Sequence, residues 1–223
     1  MNVTGKVLLP ALAAAFFCGI FFTGTSGADS ATGASGLSTP REYELMARQA
    51  SAKVGDPAPN FALDAMVGKE FKKISLTDYR GKWVVIFFYP LDFTLVCPTE
   101  IKGFNEALKS FEKLNAAVLG ASVDSKWAHK AWVERGDLGD LKFPLLSDLK
   151  KETARKYGIL DENEGVALRG LFIIDDKGVL QYESVNNLSV GRSIEETLRL
   201  LEALQTGELC PVNWKPGQKT LGR

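Results

Sequence analysis

The sequence is poor in the side chains that most often bind metals and has no excess charge of either sign. It contains one histidine, His129, and three cysteines, Cys18, Cys97 and Cys210. A site built on several imidazoles is excluded, and no close Cys/His cluster of zinc-binding spacing occurs. No C-x-x-C pair occurs either, which leaves a dithiol oxidoreductase the weakest of the activities considered. Lysine plus arginine equal aspartate plus glutamate at 27 each, so the charge total gives no support to nucleic-acid binding. His129 reads as a surface or helix-packing residue rather than a catalytic base. There is no internal repeat.

A comfortable membrane span is also missing. The apolar stretch VLLPALAAAFFCGIFF at 7–22 falls short of the roughly 20 residues a spanning helix needs. Preceded by Lys6 and followed by small residues around 25–28, it fits a signal-peptide core, with an uncleaved anchor as the alternative. Residues 1–28 are therefore assigned to a signal peptide or membrane anchor. Export to a periplasm or organelle lumen is expected, with a cytoplasmic location as the alternative. Cys18 lies inside the stretch and is read as passive. Residues 29–52 begin rich in Gly, Ser, Thr and Ala and read as a flexible linker. The remainder, 53–223, is one domain, and a 45% apolar content suits one substantial core.

What the sequence does have is WVVIFFYPLDFTLVCPTEIKGFNE at 83–106. The unbroken apolar run to Tyr89 predicts a strand covered on both faces, ended by Pro90, which cannot donate to a ladder. Ile101, Phe104, Leu108 and Phe111 then recur at helical spacing and predict a helix over about 98–114. Pro98 suits its first turn. Cys97 would thus sit at a helix N-terminus, where unpaired N–H groups and the helix dipole favour thiolate over thiol. A cysteine in an apolar chain is ordinarily an inert core residue. The helix start, the Thr94 hydroxyl three residues upstream, and a turn that would leave the sulfur at the mouth of a pocket argue for a nucleophile instead.

Further along, 116–123 reads as a second buried strand and 126–135 as a helix with Trp127 and Trp132 available for packing. Strands are expected at 143–146 and 171–174, and a helix at 150–157 ended by Gly158. The turn Asp175-Asp176-Lys177-Gly178 should return 179–185 as the second arm of a hairpin. Ser193 and Glu196 have capping-box spacing before a helix carrying Ile194, Leu198, Leu201 and Leu204. The alternation predicts an α/β fold with a mixed central sheet flanked by helices.

The run Tyr89-Pro90-Leu91-Asp92-Phe93-Thr94-Leu95-Val96-Cys97-Pro98-Thr99-Glu100 resembles the peroxidatic signature of the peroxiredoxins. Similarity continues through Gly120-Ala121-Ser122-Val123-Asp124, Arg169-Gly170-Leu171-Phe172-Ile173-Ile174-Asp175, Val190-Gly191-Arg192-Ser193, Gly207-Glu208-Leu209-Cys210-Pro211 and Trp214-Lys215-Pro216-Gly217. Together these are similar to the typical two-cysteine class over nearly everything beyond the N-terminal segment.

The resemblance implies a thioredoxin-like fold with peroxiredoxin additions, and an antioxidant thiol peroxidase reducing hydrogen peroxide and organic hydroperoxides without metal or cofactor. It implies Cys97 as peroxidatic nucleophile, Pro90 shielding the sulfur, Thr94 binding the peroxide, Arg169 favouring the thiolate and polarising the oxygens, and Glu100 orienting the arginine. Cys210 matches the resolving cysteine, which implies a homodimer with intersubunit Cys97–Cys210 disulfides, recycled by a thioredoxin-like dithiol protein. Relatives assemble such dimers further into decamers, and a holdase chaperone assembly is the alternative function. On the residues alone, a static structural disulfide between Cys97 and Cys210 would also suit an exported protein. Sensitive relatives carry a second glycine where Asp137 stands in Gly136-Asp137-Leu138-Gly139, and continue into a Tyr-Phe helix where this sequence has only 218–223. Resistance to inactivation by excess peroxide is therefore expected.

Overall fold

The computed structural model describes residues 52–223. The expected signal or anchor segment 1–28, the linker up to residue 51 and Cys18 lie outside the described residues. In chain order the elements are β1 (Ala62–Val67), β2 (Glu70–Ser75), β3 (Trp83–Phe88), α1 (Cys97–Glu106), α2 (Leu108–Lys113), β4 (Ala116–Ser122), α3 (Lys126–Arg135), β5 (Leu145–Ser147), α4 (Glu152–Lys156), β6 (Leu160–Asp161), β7 (Val166–Ala167), β8 (Arg169–Ile174), β9 (Leu180–Asn186) and α5 (Ile194–Thr206).

β3 is fully buried from Val84 to Phe88 and has no polar face to turn to water. It is accordingly an interior strand. Val84, Ile86 and Phe88 enter one core cluster while Val85, Phe87 and Tyr89 enter the other, the period-two alternation of a strand between two layers. It pairs in parallel with β4 and antiparallel with β8. The whole sheet runs β2-β1-β5-β4-β3-β8-β9. Phe104 of α1, Phe111 of α2, Trp132 of α3 and Leu201 of α5 cover one face. Ala154 of α4, Tyr157 and Leu76 help cover the other. This is the mixed sheet flanked by helices that the periodicities predict.

Four local details differ. The expected helix over 98–114 is two helices, meeting at Ala107, a single turn residue with φ −83 and ψ −1; Phe104, Leu108 and Phe111 on either side of it are all buried. The helix expected at 150–157 starts only at Glu152, where Asp148 reaches past a left-handed Lys151 to accept from the amides of Thr153 and Ala154 (3.1 and 2.7 Å). β5 lies later than 143–146, after Pro144, which has no amide for a ladder. The β1–β2 hairpin was not legible, since β2 is half lysine and glutamate and exposes most of its length. By contrast α3 occupies the expected 126–135, with Ser125 Oγ capping the Ala128 amide at 3.1 Å. Trp132 of this helix is buried, but Trp127 is largely exposed, edge-on to Phe71.

Candidate active site

β3 ends inside the sheet between β4 and β8, the loop 89–96 turns the chain past the strand end, and α1 begins on Cys97. Val96 already has helical angles, and the amides of Thr99 and Glu100 return to its carbonyl (3.0 and 3.3 Å). Pro98 occupies the first turn, where its missing N–H costs nothing. Cys97 is 0% exposed, so the sulfur is covered rather than standing at the mouth of a pocket as the turn chemistry suggested. Its position in the apolar cluster beneath α1 is the physical reason.

Arg169, the first residue of β8, comes alongside because β8 pairs directly with β3. Its Nη1 lies 3.5 Å from Cys97 Sγ and donates to Glu100 Oε2 at 2.6 Å, while Nε donates to Leu188 O at 2.7 Å. Glu100, one turn into α1, is buried too. It also accepts from a second guanidinium, Arg192: from Nε at 2.7 Å and from the backbone amide at 3.0 Å on Oε1, and from Nη2 at 2.8 Å on Oε2. Arg192 Nη1 donates to the carbonyls of Phe88 and Gly170 (2.8 and 2.7 Å), and the guanidinium sits 5.3 Å over the Phe87 ring. Burial pulls Arg192 below its ordinary value, and hydrogen bonding and charge from Glu100 oppose that fall.

Thr94 is half-buried, and its hydroxyl donates to Leu91 O at 3.1 Å within the loop rather than to the sulfur. Pro90 is half-buried directly after β3. Cys210 lies beyond α5, partly exposed, with Sγ 3.7 Å from Thr206 Oγ1 and 3.8 Å from Ala203 O. Both Cys97 and Cys210 are free thiols here, so the structure brings Cys97, Glu100 and Arg169 together and leaves Cys210 apart. Among the described residues no cluster of His, Cys, Asp or Glu could hold a metal ion.

The AhpC/TSA family profile matches residues 54–183. The chain belongs to the AhpC/TSA family as a 2-Cys peroxiredoxin. A second profile, the C-terminal domain of 1-Cys peroxiredoxin, matches 203–221, the segment that here holds Cys210. The 2-Cys peroxiredoxin BAS1, chloroplastic, of Hordeum vulgare is 52% identical over 177 residues, covering 75% of this chain and 84% of the relative. Peroxiredoxin-1 of Gallus gallus is 52% identical over 179 residues, covering 76% and 90%. The reduced 2-Cys peroxiredoxin of Plasmodium vivax superposes with a TM-score of 0.72 at 42% identity, covering 75% of this chain and 91% of that one. The fold is therefore the thioredoxin fold of the peroxiredoxins, and the enzyme is a thiol peroxidase, an oxidoreductase acting on peroxides. The chaperone alternative is not favoured by these relatives.

Two features of this peroxiredoxin were not read from the sequence. Arg192 stood in a quoted motif, Val190-Gly191-Arg192-Ser193, without a role, though it makes more polar contacts than Arg169. For His129 the helix-packing alternative holds and the surface one does not, and its polar partners were not legible. It is fully buried, with Nδ1 2.8 Å from Asp92 Oδ2 and Nε2 3.2 Å from Leu146 O. The signal that could have flagged it is its register on α3, three residues before the buried Trp132 and so on the same face.

Proposed function

We infer that Cys97 is the peroxidatic nucleophile and Cys210 the thiol that resolves it. The charge count around the sulfur carries this reading. Arg169 and Arg192 bring two buried positive charges and Glu100 one negative. The positive charge left over faces Cys97 Sγ. A buried charge without a partner is costly, and a thiolate completes the set. Its lone pair attacks one peroxide oxygen; the S–O bond forms as the O–O bond breaks, and the leaving oxygen takes up a proton and departs as water or alcohol. Arg169 is placed to steady negative charge as it passes from sulfur to the leaving oxygen. Thr94, on exchanging Leu91 O for substrate, binds the peroxide; Pro90 keeps water from the sulfur; Glu100 holds both arginines.

The product on Cys97 is a sulfenic acid, the reversible first state of the oxidation ladder on which 2-Cys peroxiredoxins are a known case. Cys210 of the partner subunit attacks it, expelling water and forming an intersubunit disulfide. A thioredoxin-like dithiol protein reduces that disulfide and becomes oxidised in turn. Hydrogen peroxide and small organic hydroperoxides are the substrates, and a homodimer, assembled further into a decamer, is the working form. The apolar stretch 7–22, together with relatives described as chloroplastic, supports an organelle address.

The test is peroxide consumption with a thioredoxin system by wild type, Cys97→Ser and Cys210→Ser, with non-reducing gels. Cys97→Ser should be inactive. Cys210→Ser should lose both turnover with thioredoxin and the disulfide-linked dimer. Continued turnover by Cys97→Ser would overturn the assignment.

A further inference from the structure

The peroxidatic loop carries a second buried polar system that the peroxide chemistry does not use. Asp92 lies in the loop 89–96, five residues before Cys97, with its side chain 1% exposed. One carboxylate oxygen accepts from Tyr89 Oη at 2.9 Å, and the other lies 2.8 Å from His129 Nδ1 on α3. Its backbone amide donates to Asp124 Oδ2 at 2.9 Å, an oxygen that also accepts from Ser122 Oγ at 2.7 Å. Tyr89 just past β3, the β4–α3 connection and α3 thus grip one loop residue.

The next residue shows what the grip resists. Phe93 has φ +58, a left-handed backbone that costs a side-chain-bearing residue about 1 kcal/mol or more. Its ring leans on Trp132 at 5.6 Å between centroids, with the Arg135 guanidinium 5.5 Å over its face. The loop is therefore bent against its own preference immediately beside Asp92, and Cys97 follows four residues later. Freed from Asp92, the segment 91–96 would relax and carry the start of α1 with it.

The hydrogen-bond chemistry fixes where the protons of this system lie. Leu146 O can only accept, so His129 Nε2 carries a hydrogen. Nδ1 faces a carboxyl oxygen, so one proton lies between them, whether as imidazolium and carboxylate or as neutral imidazole and carboxylic acid. Without it, two lone pairs would meet at 2.8 Å in a site that also holds Asp124. Burial, then the charge of Asp92, pushes the Asp124 carboxyl above its ordinary value, and the same order of causes pushes Tyr89 well up. The titratable groups bonded to Asp92 besides His129 are thus Tyr89 and Asp124, both acids.

We propose that His129 is a positioning residue for the peroxidase reaction: through its hydrogen bond to Asp92 it holds the strained loop that sets Cys97 against Arg169. It touches no substrate. The proposal rests on Cys97 as the reacting thiol.

The experiment is single-turnover oxidation of the reduced full-length protein by hydrogen peroxide, followed by the fluorescence of Trp132 and its fellow tryptophans, with thermal unfolding as a check on folding. His129→Asn keeps a donor at the Nδ1 position and should react near the wild-type rate. His129→Leu fills the space without a donor and should react about 100-fold more slowly, the cost of misplacing a reacting group by about 1 Å. A residue that merely fills the core would give the opposite order, since leucine is the better apolar filler. His129→Leu as fast as wild type, or His129→Asn no faster than His129→Leu, would overturn the proposal. Should His129→Leu fail to fold, Tyr89→Phe decides, because it deletes one bond to Asp92 and keeps the ring: a slower reaction supports the grip and an unchanged rate overturns it. Cys97→Ser in the same series separates the two readings, since its continued reaction with peroxide removes the nucleophile assignment whatever the His129 variants do.

Discussion

Glu100 accepts hydrogen bonds from Arg169 Nη1 and from Arg192 N, Nε and Nη2 at 2.6–3.0 Å, with its side chain 2% exposed. Bridging both guanidiniums, it is the group that allows two like charges to be buried side by side. Glu100→Gln keeps the shape and removes the charge, leaving two cations facing each other. We expect a loss of about 3 kcal/mol in unfolding free energy, the usual cost of breaking a buried ion pair from one side, with peroxidase activity falling in parallel. Urea denaturation and a peroxide assay on the same preparation check both. A stable, active Glu100→Gln would mean that the arginines are neutralised by something other than Glu100 and Cys97.

At the scale of elements, α4 and the segment after α5 carry separate consequences. α4 is started by the Asp148 carboxylate on two backbone amides. Burial is the largest influence on that carboxyl and raises it above its ordinary 3.8, while the two amides work the other way. An acid raised in the folded state holds its proton more tightly there than in the unfolded chain. Its contribution to stability is therefore full below 3.8 and is lost as pH rises through the raised value. Asp148→Asn should flatten the decline of unfolding free energy across that window, read by urea titrations at a series of pH values; an unaltered slope would show that another group sets it. The segment 208–222 folds back on itself, with the amides of Leu209 and Leu221 bonded to Gly222 O and Leu209 O at 2.8 Å each. Trp214 plugs it, its carbonyl taken by Arg199 Nη1 at 3.1 Å and its Nε1 bonded to Gln218 O at 3.0 Å. Trp214→Ala should cost about 3 kcal/mol and speed hydrogen exchange in 208–222, loosening the backbone that holds Cys210.

For the whole molecule, exposed apolar side chains are spread from Val54 to Leu221, and three of them lie in the segment that carries Cys210. Leu209, Val212 and Leu221 are exposed, Val212 at 88%, in the segment that contains Cys210. Exposed apolar groups beside Cys210, the thiol proposed above to resolve another subunit's sulfenic acid, fit a surface covered by a second copy. Val212→Asp should raise the dimer dissociation constant of the reduced protein about tenfold, equivalent to about 1.4 kcal/mol, in sedimentation equilibrium. It should also slow formation of the disulfide-linked dimer on non-reducing gels. An unchanged dimer would place the subunit contact elsewhere.

The sequence by itself determined the elements whose signals are local. The apolar run of β3, the cap and left-handed Gly136 that bound α3, the Ser193 cap of α5 and the turn between β8 and β9 each lie within a few residues of what they specify. The likeness of the Cys97 motif and of Arg169 to a known family was legible for the same reason, as short runs. Only the tertiary structure decided that Arg192 closes on Glu100 from 92 residues away and that His129 is buried against Asp92 from 37, and it gave the contact, across 69 residues, between Glu100 and Arg169 that the resemblance implied. A charged or titratable residue has the same local signature on a surface as in a core. Whether it is buried depends on whether a distant chain segment brings the opposite charge, and that is settled by how the strands of the sheet are ordered.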